Sequence, residues 1–182
     1  MEFIILIILV LIVIWLIIIF NKFIRDKNLI KEAWSGIDVQ LKRRYDLIPN
    51  LVETVKGYGS HERNLFQQIT ETRSKTMNLD SLKERAQGET QLSGMIKGLF
   101  AVAEAYPDLK ANQNFLDLQK QLAEIEDQIQ YARRYYNGVV RDYNIRVQSF
   151  PSNIVASVSG YKTADFFEIS LATERETPEV KL

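Results

Sequence analysis

The sequence predicts an all-α protein, an N-terminal transmembrane helix followed by an antiparallel up-down four-helix bundle with long coiled-coil-like helices. Three observations predict it. The chain begins with an uninterrupted apolar run, apolar positions recur every three or four residues through most of the remainder, and neither a βαβ alternation nor a strand pair is visible.

Residues 3–20 (FIILIILVLIVIWLIIIF) are eighteen consecutive apolar residues with no charge, glycine or proline. As a helix this run is about 27 Å long, close to a bilayer's hydrocarbon core. A cleaved signal peptide would have a basic start, a shorter core and a small-residue cleavage site, none of which is present. The predicted anchor therefore includes Phe3, Trp15 and Phe20, within a first segment of residues 1–27. Lys22, Arg25 and Lys27 follow the run while Glu2 precedes it, a bias that holds the following flank inside the cell. The expected topology is single-pass in a cell membrane, with the N-terminus outside and the C-terminal domain cytoplasmic.

Residues 28–150 are the predicted bundle. From Ile30 through Trp34, Ile37, Leu41, Tyr45, Ile48 and Val52 to Val55 the spacings are three or four, a helix's period. No glycine precedes Gly36 and no proline precedes Pro49, so the anchor is expected to run unbroken into the first helix of the bundle. Pro49 predicts a kink near Asp46, and Gly57 and Gly59 predict the helix end. A second helix is expected from Ser60 to about Thr76 on Leu65, Ile69 and Thr72. A third starts at the capping-box sequence Ser81 to Glu84 and closes at Tyr106, Pro107 and Asp108. The fourth, from Asp108 to Ser149, carries the longest seam: Phe115, Leu118, Leu122, Ile125, Ile129, Ala132, Tyr136, Val139, Tyr143, Val147 and Phe150. Residues 151–170 mix small, polar and aromatic side chains and predict an irregular segment; residues 171–182 predict a disordered tail.

Composition narrows function. With 23 Lys+Arg against 23 Asp+Glu the formal charge is zero, which gives no electrostatic reason to expect nucleic acid. The chain has no cysteine, which excludes thiolate metal sites, iron–sulfur clusters and cysteine nucleophiles, and only one histidine, His61, which cannot by itself build a metal centre. Glu124, Glu126 and Asp127 lie opposite the seam and predict a solvated face. Lys42, Arg43 and Arg44 form one basic turn, expected to ion-pair or to be solvated. Tyr131, Tyr135, Tyr136 and Tyr143 are expected in core and rim rather than in a ligand box. No cofactor, small-molecule substrate or enzymatic activity is expected.

Two groups remain as a candidate partner surface. Asp46, Pro49 and Asn50 surround a proline inside a long helix, which marks either a kink shaped for packing or a presented face. Tyr106, Pro107, Asp108, Asn112 and Asn114 form a cap or a polar tip. Helix lengths further predict that an antiparallel fourth helix returns to the bilayer, bringing Phe150, Tyr161, Phe166 and Phe167 to headgroup level; folding back onto the bundle as an apolar cover is the alternative.

Three ordered blocks carry a family resemblance: YDLIPNLVETVKGY (45–58), YPDLKANQNFLDLQKQL (106–122), and ARRYYNGVVRDYN (132–144) followed by FPSNIVA (150–156). They resemble the bacterial LemA family over nearly the whole chain. The resemblance implies a membrane-anchored helical bacterial protein of no assigned reaction, often found near envelope proteases of the HtpX type. The expected function is a non-enzymatic scaffold or adaptor, self-assembling as a homo-oligomer. A regulatory or substrate-presenting partner of a membrane protease is the rival.

Overall fold

A computed structural model of the chain describes residues 1–59 and 62–168, and among them every regular element is a helix. The elements are α1 (Glu2–Lys56), α2 (Arg63–Met77), α3 (Leu82–Ala103), α4 (Pro107–Lys110), α5 (Gln113–Gln148) and α6 (Ser152–Ser159). As the glycine-free run predicts, the apolar stretch and the first amphipathic stretch form one unbroken helix. Pro49 sits inside α1 without ending it. Beyond Lys56, the Tyr58 and Gly59 amides both donate to the Val55 carbonyl and close the helix where the glycines predict.

The chain divides into two compact units. The first comprises residues 1–38 and 131–166. Its core is Phe23, Tyr143, Val155 and Ala156, with Ile19, Ile30, Val147, Tyr161 and Ala164 packed around them. The second holds residues 39–130 with Phe167 and Glu168. There the buried faces are Leu41, Tyr45, Ile48, Leu51 and Val55 on α1, Phe66 and Ile69 on α2, Leu92, Ile96 and Leu99 on α3, Leu109 on α4, and Phe115, Leu122, Ile125 and Ile129 on α5. The seam of α5 is thus buried over most of its length, but Phe150 at its predicted end is exposed.

Several predicted boundaries shift. The second helix begins at Arg63 and buries Phe66, Ile69 and Thr76. Ser81 caps α3 by accepting the Glu84 amide at 3.5 Å, the first half of a capping box. The predicted fourth helix is split: α4 makes one turn, and Asn112 then restarts the chain by accepting the Phe115 amide at 3.2 Å. An Asn side chain that satisfies a free first-turn amide competes with continuation of the preceding turn. The segment expected to be irregular from residue 151 contains the eight-residue α6, ended by Gly160 at φ 71°, the left-handed conformation that glycine adopts without steric cost. His61 and the predicted tail 171–182 lie outside the described residues.

Candidate functional site

The most concentrated chemistry in the second unit is a buried ionic junction. Arg44 is 1% exposed and Glu89 is 0% exposed, with Arg44 Nη2 3.0 Å from Glu89 Oε2. The same guanidinium donates to Ser93 Oγ at 2.9 Å, to the Glu89 carbonyl at 3.2 Å and to Glu126 Oε2 at 2.9 Å. Tyr45 donates its hydroxyl to Glu89 Oε1, and Arg73 Nε donates to the Tyr45 carbonyl at 2.7 Å. Residues of α1, α2, α3 and α5 therefore meet at Arg44 and Tyr45.

The local sequence explains this placement. Arg44 falls on the same helical face as Leu41, Tyr45 and Ile48, and Glu89 on that of Ala86, Leu92 and Ile96. Burial pushes the Glu89 carboxyl above the ordinary carboxylate range, an effect the Arg44 guanidinium, the Tyr45 hydroxyl and Arg85 oppose and Glu126 reinforces. Burial, with the Glu89 charge beside it, pushes the Tyr45 hydroxyl up as well. A carboxylate this deep cannot reach a substrate, so the junction's chemistry is to fix which helix faces meet. The basic turn pairs and is solvated as expected, Arg44 in ion pairs and Lys42 and Arg43 exposed, but Arg44 does so buried, and Glu126 leaves the expected solvated face to join it.

The predicted partner surface is in the same unit. Asp46, Pro49 and Asn50 are exposed, and with Glu53 they form one stripe along α1. Tyr106 is half-buried and donates to Glu62 Oε1 at 3.2 Å, while Pro107 and Asp108 are exposed in the first turn of α4. Asn112 Nδ2 donates to the Tyr58 hydroxyl at 3.0 Å, and Asn114 is exposed. Among the described residues, no hydrogen bond or ion pair joins the Asp46 group to the Tyr106 group. The described residues also contain no group of three His, Asp or Glu side chains placed to hold a metal ion.

In the first unit, Phe3, Trp15 and Phe20 point outward from α1, and Lys22, Arg25 and Lys27 follow as an exposed basic flank. Tyr161 stacks on Phe23 with ring centroids 4.8 Å apart at 17°, meets Phe20 at 6.2 Å, and has Lys27 Nζ 5.5 Å from its ring centre. Arg146 Nε pairs with Asp26 at 2.6 Å. Residues 161–165 are tied to α5: the Tyr143 hydroxyl donates to the Lys162 carbonyl, the Tyr136 hydroxyl to the Asp165 carbonyl, and the Asn144 side chain both donates to and accepts from Ala164.

Of the four residues expected at headgroup level, Phe150 and Phe166 are exposed and Tyr161 packs on α1. Phe167 is fully buried in the second unit, so it presents no surface to lipid and that expectation is corrected. Tyr136 and Tyr143 are core residues as expected, whereas Tyr131 and Tyr135 are exposed. Sequence reasoning missed Arg44 and Glu89, whose signal is a charge standing on an otherwise apolar register.

Comparisons with known proteins place the sequence in a family. The sequence profile of the LemA family matches residues 33–182. The protein LemA of Metamycoplasma hominis is 30% identical over 82% of this chain and 69% of its own length. Magnetosome protein MamQ 2 of Paramagnetospirillum magneticum is 25% identical over 82% of this chain, and magnetosome protein MamQ of Magnetospirillum gryphiswaldense 20% identical over 81%. The chain spans 64% of the length of each of these two magnetosome proteins. With a profile that covers most of the folded residues and a LemA relative aligned over most of both chains, this chain belongs to the LemA family.

Proposed function

We propose that the chain is a non-enzymatic, membrane-anchored helical scaffold or adaptor whose folded part lies on the cytoplasmic side of a bacterial inner membrane. The observation that carries this is the continuity of α1. A stretch of mean hydropathy 3.8, none of it buried within the protein, is the same helix that supplies Arg44 and the core residues of the second unit. A helix that begins in an apolar span and ends among core residues of a folded unit tethers that unit to a bilayer. The basic flank Lys22, Arg25 and Lys27 supports the cytoplasmic orientation.

The meeting of α1, α2, α3 and α5 at Arg44 and Tyr45 supports an up-down arrangement of these four helices, with the exposed Asp46, Pro49 and Asn50 stripe as the partner surface. Self-assembly belongs to the same proposal. Cross-linking in native membranes followed by mass spectrometry tests it. Self-cross-links through residues 46–53 are expected, and a membrane protease as the dominant partner would replace the scaffold with the regulatory reading. A reporter fused after Leu182 that is active only outside the cytoplasm should stay silent; strong activity there overturns the orientation.

A further inference from the structure

Within the first unit, two charge boundaries coincide. On α1 the apolar stretch ends at Phe20 and charges begin at Lys22. On the other strand of chain no charged side chain occurs between Arg146 and Lys162. Both ends of that uncharged segment are fastened to α1 near the charge boundary, Arg146 to Asp26, and Tyr161 against Phe20 and Phe23 and beneath Lys27. Between those ends the segment reaches farther into the apolar stretch. Ile154, Val155, Val158 and Ser159 of α6 line an apolar notch of about 510 Å³ whose other wall is Leu16, Ile17 and Phe20. Leu16 lies ten residues before Asp26, about 15 Å along a helix axis.

The two faces of α6 differ in a telling way. Val155 and Ala156 are buried against Phe23 and Tyr143. Ile154 and Val158, spaced by four on the other face, are 55% and 85% exposed, and Phe150, just before the helix, is 80% exposed. An apolar stripe this open on a helix this short is costly in water and favourable in hydrocarbon. The backbone is already prepared for such a medium: the single Ser152 hydroxyl proton is within reach of the Arg146 carbonyl at 2.6 Å and the Ser149 carbonyl at 2.9 Å, and the Gly160 and Tyr161 amides donate to the Ser157 and Ala156 carbonyls.

We propose that α6 is seated in the membrane beside α1, with its exposed Ile154 and Val158 and the preceding Phe150 in the acyl region and a lipid acyl chain filling the notch against Leu16, Ile17 and Phe20. Lys22, Arg25 and Lys27 then stand at the level of the phosphates, and the Asp26–Arg146 pair marks where water begins. Lipid is the occupant because the notch is continuous with the apolar face of the anchor and its lining carries no charge. The inference rests on the membrane-anchored reading above and adds a second membrane element to it.

The absence of cysteine makes single labels clean. The full chain carrying Val158→Cys, labelled with an environment-sensitive fluorophore, is reconstituted in phosphatidylcholine–phosphatidylglycerol vesicles with and without lipids bearing a quencher on the acyl chain. Val10→Cys in the apolar stretch and Tyr135→Cys, exposed on α5, are labelled in parallel. The Val158 label is expected to lose most of its fluorescence, as the Val10 label does, while the Tyr135 label loses little. Quenching at Val10 but not at Val158 overturns the seating of α6 and leaves the anchor intact; no quenching at Val10 overturns both. Shielding of the Val158 label from lipid, together with disulfide cross-linking of unlabelled Val158→Cys chains under a mild oxidant, would assign the stripe to a second copy of the chain and so overturn the lipid assignment.

Discussion

Removing the Glu89 side chain is the sharpest perturbation of the buried junction. Arg44 and Glu89 are 1% and 0% exposed, so Glu89→Ala leaves a guanidinium inside the helices with only Ser93, Glu126 and a carbonyl for partners. Breaking one side of a buried pair costs roughly 3–5 kcal/mol. The remaining partners place this case near the lower end, about 3 kcal/mol. For a chain of this size that is a fall in Tm on the order of 10 °C. Glu126 also touches Arg44, but its side chain is 42% exposed and its charge is screened, so Glu126→Ala should cost about 1 kcal/mol or less. The double replacement Arg44→Met with Glu89→Leu removes both charges, and such swaps are often near neutral. Far-UV circular dichroism melts of the full chain in detergent compare the four proteins. Equal losses for Glu89→Ala and Glu126→Ala, or a double replacement less stable than Glu89→Ala alone, would refute the junction as the element that fixes how the helices pair.

Three further outcomes follow from the same geometry. The raised Glu89 carboxyl means that the folded state holds this proton more tightly than the unfolded one. The contribution is fully present below the ordinary carboxylate range and is lost as pH rises through the folded-state value; Glu89→Gln should flatten that part of a stability–pH profile, and an unchanged slope would contradict the assignment. At Gly88 an added Cβ would lie 2.5 Å from Thr76 Oγ1 and 2.8 Å from Cγ2, and Thr76 is itself held to the Thr72 carbonyl at 2.7 Å. Gly88→Ala should therefore destabilise by about 1–3 kcal/mol, and adding Thr76→Ala should recover part of the loss in a denaturant titration. On α5, Leu122→Ala should cost about 2–5 kcal/mol and Glu124→Ala less than about 0.5, so matching thermal shifts would mean the buried face is misassigned.

Much of the fold was legible because the strongest sequence signals are physical constraints with few solutions. Eighteen apolar residues in a row leave no polar face for water, and a stretch free of glycine and proline through residue 35 leaves no reason to break, so the unbroken α1 follows. The α5 seam was legible because one side of a long helix has to be covered. The division at Ala111 and Asn112 was not, since Pro107 and Asn112 each start a helix and their spacing allows either one helix or two. Nor was α6: Ser152–Ser159 is rich in serine and valine, which favour helices weakly, and its helix is held by packing on Phe23 and by Gly160 rather than by propensity.

The junction was concealed for a different reason. Arg44 stands beside two other basic residues, and composition alone makes such a turn a surface feature. Only its register, on the face of Leu41, Tyr45 and Ile48, distinguishes it from Lys42 and Arg43, and that register becomes decisive when a carboxylate on another apolar face is found to match it. Glu89, between Ala86 and Leu92, is that match. Two lone charges on apolar faces of different helices each carry a desolvation cost that is offset chiefly where they meet. Sliding α1 by one turn along α3 would move Arg44 about 5.4 Å from its partners and leave both charges buried without compensation. Apolar stripes alone tolerate such slips, since leucine and isoleucine pack acceptably in several registers. The Arg44–Glu89 pair thus specifies the pairing of α1 with α3, and through α1 it fixes which residues, Asp46, Pro49 and Asn50 among them, are turned outward.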